Sequence, residues 1–161
     1  MIVVADTGPL NYLIQIDSER LLLQIYQRVF VPSAVIRELE DPGAPSEVRA
    51  WLAQLPAWVE VCVGISPPHP ELGSLDAGER EAIQLAEDLH ADFLLIDERK
   101  GRLEAKRRGL TVTGTLGVLL RAGELELVDV ETAYRRLLGE TTFRISPELH
   151  TQFLARLARR R

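Results

Sequence analysis

The chain has 161 residues, 46% of them hydrophobic, and a formal net charge of −5. That size fits one domain burying about 70% of the surface its unfolded form exposes, which gives a core that needs no staples, and the hydrophobic content argues against a disordered chain. The acidic balance excludes a generally basic nucleic-acid binder, so any such contact has to be local.

Residues 2–5, Ile-Val-Val-Ala, form a continuous β-branched apolar run, the pattern of a strand buried on both faces. Asp6 ends it. Pro9 suits a first helical turn, and Leu10, Leu13 and Ile14 follow at helical spacing. A second helix is expected over 18–27, with Ser18 as its cap. "RVFVP" is a short strand, and Pro32 opens a helix through "PSAVIRELE" that "DPGAPS" ends. A helix near 46–55 and a strand at 58–63 come next. The lone cysteine, Cys62, lies in that strand pattern and reads as a buried inert thiol in a reducing cytosol.

The proline-rich "GISPPHPELGS" is a loop. "LDAGEREAIQLAEDLH" resumes helical spacing, with Ile83, Ala86 and Leu89 on one face and Ala82 and Leu85 beside them. "DFLLID" is a strand at 92–97, a charged helix fills 98–108, "LTVTG" is a strand and "TLGVLLRAGEL" is helical. Helices near 131–139 and 147–158 close the chain. No apolar run reaches the ~18 residues of a membrane span, and the first strand meets Asp6 too early for a signal peptide, so a cytoplasmic protein is expected. Strands alternating with helices predict an α/β domain on a largely parallel sheet, with its site beyond the carboxyl ends of the strands.

Four acids from four segments are placed to meet at that edge. Asp6 and Asp97 end two fully apolar strands. Glu38 lies on the apolar side of its helix beside Val35 and Leu39, and Glu79 sits in the first turn of the helix that begins near Asp76. Each also has an ordinary structural role. Asp6 and Asp97 fit helix caps, Asp76 and Glu79 have capping-box spacing, and Glu38 fits a solvated helix beside Glu40 and Asp41. Carboxylates gathered together repel one another unless a cation sits among them, and an all-oxygen set favours Mg²⁺ or Mn²⁺ over zinc. His69, His90 and His150 lack metal-ligand spacing.

The ordered stretches "VVADTGPL", "VPSAVIREL", "LDAGEREAIQLA", "LLIDERKGR" and "VTGTLGVLL", over about residues 1–125, resemble the motifs of a PIN domain, more narrowly the VapC-type toxin subgroup. That resemblance implies a three-layer α/β/α sandwich on a mostly parallel, about five-stranded sheet. It implies one PIN-like domain over 1–161, with a core near 1–125 and a helical extension near 126–161. It implies a catalytic, Mg²⁺- or Mn²⁺-binding cluster of Asp6, Glu38, Glu79 and Asp97. Glu79 stands where VapC-type members more often carry aspartate, and Asp76 is the substitute. Thr113 or Thr115 fills the hydroxyl position near the last acid, with Thr7 beside Asp6.

The activity implied is metal-dependent hydrolysis of single-stranded RNA, as the toxin of a toxin–antitoxin pair. A homodimer and a small antitoxin partner are implied too. Leu10, Tyr12, Leu13, Leu22 and Leu23 are either surfaces for those partners or core. For RNA, Arg99, Lys100 and Arg102 follow Asp97 directly. The alternative for this basic helix is a solvated face with pairs such as Glu98–Arg102 and Glu104–Arg108. The arginine-rich tail "LARLARRR" is a helix end, or an RNA or partner contact. Other readings are a housekeeping RNA-processing nuclease and a weakly active PIN-fold binding protein. A receiver domain needs a pair of acids and a lysine absent here, and a dehalogenase-like phosphatase needs an aspartate where this chain has Gly8.

Overall fold

The computed structural model describes residues 1–63 and 69–160. Part of the expected proline-rich loop, residues 64–68, lies outside the described residues, as does residue 161. In chain order the elements are β1 (Val3–Ala5), α1 (Thr7–Gln15), α2 (Arg20–Tyr26), β2 (Val29–Pro32), α3 (Ser33–Leu39), α4 (Ser46–Ala53) and β3 (Val59–Cys62). A single 3₁₀ turn at Pro70–Leu72 precedes α5 (Ala77–Asp88), β4 (Phe93–Leu95), α6 (Arg99–Arg107), β5 (Val112–Thr113), α7 (Thr115–Glu124), α8 (Val130–Glu140) and α9 (Pro147–Arg159).

All five strands are parallel, in the order β3-β2-β1-β4-β5. The sequence pattern required only a mostly parallel sheet. Side chains alternate across it. Val3, Ala5 and Leu95 point into a large core with Leu10 of α1, Leu22 of α2, Leu119 of α7, Tyr134 of α8 and Phe153 of α9. Val4, Leu94 and Ile96 point the other way, against Ile83 and Ala86 of α5 and Ala105 of α6. The result is the three-layer α/β/α sandwich, with β1 buried throughout and β4 buried at Leu94 and Leu95.

Several local expectations change on packing. The second helix starts at Arg20, and Ser18 donates to the Ile16 carbonyl instead of capping it. Leu10, Leu13 and Leu22 are fully buried, so they are core and not partner surfaces, while Tyr12 and Leu23 are half-buried. Cys62 is half-buried on the edge strand β3, and burial with the nearby Glu60 charge pushes its thiol pKa up, which keeps it unreactive. His69 and His90 are exposed, and the His150 Nδ1 lies 2.6 Å from the Tyr134 hydroxyl. Among the described residues no helix is long and apolar enough to cross a membrane.

Candidate active site

The strand order reverses direction between β1 and β4, which lie side by side in the middle of the sheet. Open parallel sheets bind ligands at such a switch point, where the flanking connections leave in opposite directions and open a crevice. Asp6 follows β1 and Asp97 closely follows β4, so both stand at this crevice. It is a cleft of about 860 Å³ whose lining includes Asp6, Glu38, Asp76, Glu79 and Asp97.

Asp6 occupies the N-cap position of α1, yet its side chain makes no capping hydrogen bond. It is 5% exposed, and its buried Oδ1 has no hydrogen-bond partner. A buried carboxylate oxygen without a donor costs free energy, so a residue kept there serves something other than the helix. Burial raises the Asp6 pKa to about 7; the Thr7 backbone N–H opposes this, and the charges of Asp76, Glu38 and Asp97 add to it.

Asp97 does not cap α6, whose N-cap is Glu98. It belongs to the start of α7: its Oδ1 accepts from the Thr115 backbone N–H at 2.8 Å and its Oδ2 from the Thr115 hydroxyl at 2.7 Å. Burial raises the Asp97 pKa, against the two Thr115 hydrogen bonds. A Cβ on Gly114 would stand 2.5 Å from Asp97 Oδ1, so only glycine lets α7 begin this close to the acid. Thr115, fully buried, thus fills the hydroxyl position beside Asp97. Thr113 lines the cleft two residues earlier.

Glu38 links two other segments. Its Oε2 accepts from the Thr7 hydroxyl at 2.6 Å, and its Oε1 from the Gly78 N–H at 2.8 Å. It is therefore not a solvated helix residue. The first-turn N–H of α5 that it takes is one the helix cannot satisfy itself. Asp76 caps α5 by accepting from the Glu79 N–H at 2.8 Å. Glu79 is 7% exposed, and burial raises its pKa, helped by a side-chain hydrogen bond with Asp76 and by the charges of Asp76 and Asp6.

The donor set is thus all-carboxylate, strongly anionic, and contains an orphaned buried oxygen. In charge and donor type it fits a hard divalent cation. Among the described residues no three His, Cys, Asp or Glu side chains converge closely enough to hold an ion together. Glu38 and Asp97 instead spend their oxygens on Thr7, Gly78 and Thr115.

The basic helix α6 splits into two halves. Arg99 and Arg102 line the cleft, with Arg102 donating to the Ile96 carbonyl at 2.8 Å rather than pairing with Glu98. Lys100 turns away and donates to the Ser74 carbonyl. Arg107 and Arg108 are taken up by Glu104, Glu71 and Glu87; the expected Glu104–Arg108 pair forms, but with Arg107 exposed and the Arg108 side chain largely covered rather than on a solvated face. Sequence reasoning offered the arginine tail as an RNA or partner contact but did not place it at this cleft. The α8–α9 connection and α9 turn back over the sheet and line the same cleft through Phe143, Arg144, Gln152 and Arg156. The apolar spacing of Phe153 and Leu157 signals that α9 docks somewhere; nothing local says where.

The chain is thus a parallel-sheet α/β domain with an acidic cleft at its switch point. The family model DUF3368, described as a PIN domain, matches residues 2–159. The chain belongs to that PIN-domain family, whose members are generally nucleases, and the match runs through α8 and α9. No curated protein matches the chain. A solved PilT N-terminus domain protein from the hyperthermophilic archaeon Sulfolobus solfataricus P2 is similar at 17% identity, with a TM-score of 0.49, over 90% of this chain and 100% of that one.

Proposed function

We propose that this protein is a divalent-metal-dependent endoribonuclease that hydrolyses phosphodiester bonds of single-stranded RNA, acting as the toxin of a toxin–antitoxin pair. The observation that carries the nuclease reading is Asp6: a buried carboxylate at the switch point, with an unpartnered oxygen, in a cleft also lined by Glu38, Glu79 and Asp97. The family and the cleft support hydrolysis; the toxin role, the homodimer and the small antitoxin partner rest on the motif resemblance alone.

Asp6 and Asp97 would hold an Mg²⁺ or Mn²⁺ ion, with Glu38 and Glu79 beside them. Such an ion, when bound, lowers the pKa of its water and offsets charge on the scissile phosphate. The chain's own part is orientation. Thr115 fixes both oxygens of Asp97, and Thr7 with the Gly78 N–H fixes Glu38, so neither acid has to be ordered during the reaction. Burial disfavours the charged form of Asp6, which gives a cation there a high return in ionising it.

The test is cleavage of labelled single-stranded RNA with Mg²⁺ or Mn²⁺, with EDTA and Asp6→Asn controls. Cleavage that needs the ion and Asp6 is expected. Cleavage that survives either control sinks the metal mechanism, and no cleavage of any RNA turns the reading to a PIN-fold binding protein. Co-purification with a small protein encoded beside it separates the toxin from a housekeeping nuclease.

A further inference from the structure

The cleft is asymmetric. Its floor is carboxylate, yet its rim is cationic on two sides: Arg99 from α6, and Arg144 and Arg156 from the C-terminal segment. Among the described residues the side chains of these three arginines form no ion pair, unlike Arg107, Arg108, Arg135, Arg136 and Arg160. In a chain of net charge −5, unpaired arginines at one cleft are the local basic surface that an anionic polymer requires.

The C-terminal wall is also firmly built. Phe143 packs edge-on against Tyr12 of α1, with ring centroids 5.2 Å apart. The Thr141 hydroxyl donates to the Leu137 carbonyl and accepts from the Phe143 N–H, so the turn before Arg144 is fixed. Ser146 caps α9, and Phe153 and Leu157 bury its inner face in the core. Arg160 ties its end to the Leu120 carbonyl and Glu124. Arg144 and Arg156 are thus held at the cleft by a rigid frame, with Gln152 and the half-buried Phe143 as further lining.

We propose that this C-terminal wall is a docking surface for a single nucleic-acid strand, on which Arg144 and Arg156 contact backbone phosphates and hold the strand over the acidic floor. This rests on the nuclease reading, which also favours a nucleic acid over an acidic protein as the occupant. The two arginines act as binding residues, so their loss raises KM and leaves kcat nearly unchanged.

The test measures binding of a 5′-fluorescein single-stranded RNA 20-mer to the full chain by anisotropy, in Ca²⁺ buffer, at several salt concentrations. Each lost phosphate contact on a single strand lowers the slope of log K against log salt by about 0.7. The Arg144→Ala/Arg156→Ala double variant is expected to bind roughly tenfold more weakly, with a slope smaller by about 1.4. Arg159→Ala, on the same helix outside the cleft, is expected to bind as the wild type does. The Lys double variant should recover the slope, which a merely structural role would not allow. Unchanged affinity and slope in the Ala double variant overturn the proposal, as does wild-type protein that binds no oligonucleotide at low salt. Binding of polyglutamate in place of RNA overturns it in favour of an acidic protein partner. Wild-type binding with the expected slopes but no cleavage overturns the nuclease reading and leaves the docking surface standing; cleavage with an unchanged KM in the double variant does the reverse.

Discussion

Two sets of carboxylates in this molecule face opposite fates. At the far end of α6, Glu104 sits between Arg107 and Arg108, whose hydrogen bonds hold its pKa down at about 2. At the switch point, Asp6 lies buried with an unpartnered oxygen and other acids for neighbours, and its pKa rises to about 7. Both regions are dense in charge. One is balanced within itself, as a structural network is; the other is left in need of a positive charge from outside. That difference, rather than the number of acids, marks the cleft as the site.

The sharpest way to break the comparison is Asp6→Asn. It should lower RNA cleavage at saturating Mn²⁺ by at least about 100-fold, a loss of about 2.7 kcal/mol or more in transition-state stabilisation. Glu104→Ala should leave cleavage unchanged in the same assay. Equal losses would erase the distinction between the two regions.

The next effect is on stability against pH. Asp6 ionises near pH 3.8 when unfolded and near 7 when folded. Between those values the unfolded chain has released a proton that the folded chain keeps, so metal-free stability falls as pH rises from about 4 through 7. The span is on the order of 4 kcal/mol at most, from about three pK units. Glu104 has the opposite sign, since its contribution is present above its unfolded pKa of 4.5 and is lost as pH falls through about 2. Thermal melts of metal-free protein from pH 4 to 8 should therefore fall more steeply for the wild type than for Asp6→Asn. Added Mn²⁺ should restore the wild type at pH 8, because a ligand of the native state must raise stability. A melt that is flat across this range, and indifferent to Mn²⁺, would place a counter-charge at Asp6 that the fold does not contain.

Gly78→Ala is a finer probe. A Cβ there would stand 2.6 Å from Glu38 Oε2, so the Glu38 carboxylate has to move while the helix keeps a favourable residue. Cleavage should drop by roughly tenfold, about 1.4 kcal/mol, with the far-UV spectrum unchanged. The smallest effect is again at the paired end: Glu104→Ala opens a partly buried network in which Arg108 keeps Glu71 and Glu87, and should cost about 1 kcal/mol in urea unfolding.

Much of this was legible in the chain itself. The apolar runs 2–5 and 93–96, the helical spacing of Ala82, Ile83 and Ala86, and the glycine and proline breaks are local signals, and the strands and helices fall where they point. Acids placed at the ends of buried strands were legible for the same reason: a charge directly after an apolar run is odd in one dimension already. The sequence could not separate cap from ligand. Asp6 and Asp76 both stand at helix N-caps, and only Asp76 uses its side chain there. The choice between Thr113 and Thr115 was equally closed, since it turns on which hydroxyl reaches Asp97 across 18 residues of chain.

What the sequence by itself determined, then, is the alternation of strands and helices and the residue types at their ends, because hydrophobic periodicity and turn chemistry act over a few residues. Tertiary structure alone decided that β1 and β4 are neighbours, which brings Asp6 and Asp97 to one crevice. It also decided that α9 returns over that crevice carrying Arg156, and that Arg107 and Arg108 are neutralised while Arg99 is not. These outcomes depend on contacts between residues far apart in the chain. Their energies are set by burial and by which charges end up facing one another, and no local pattern encodes either.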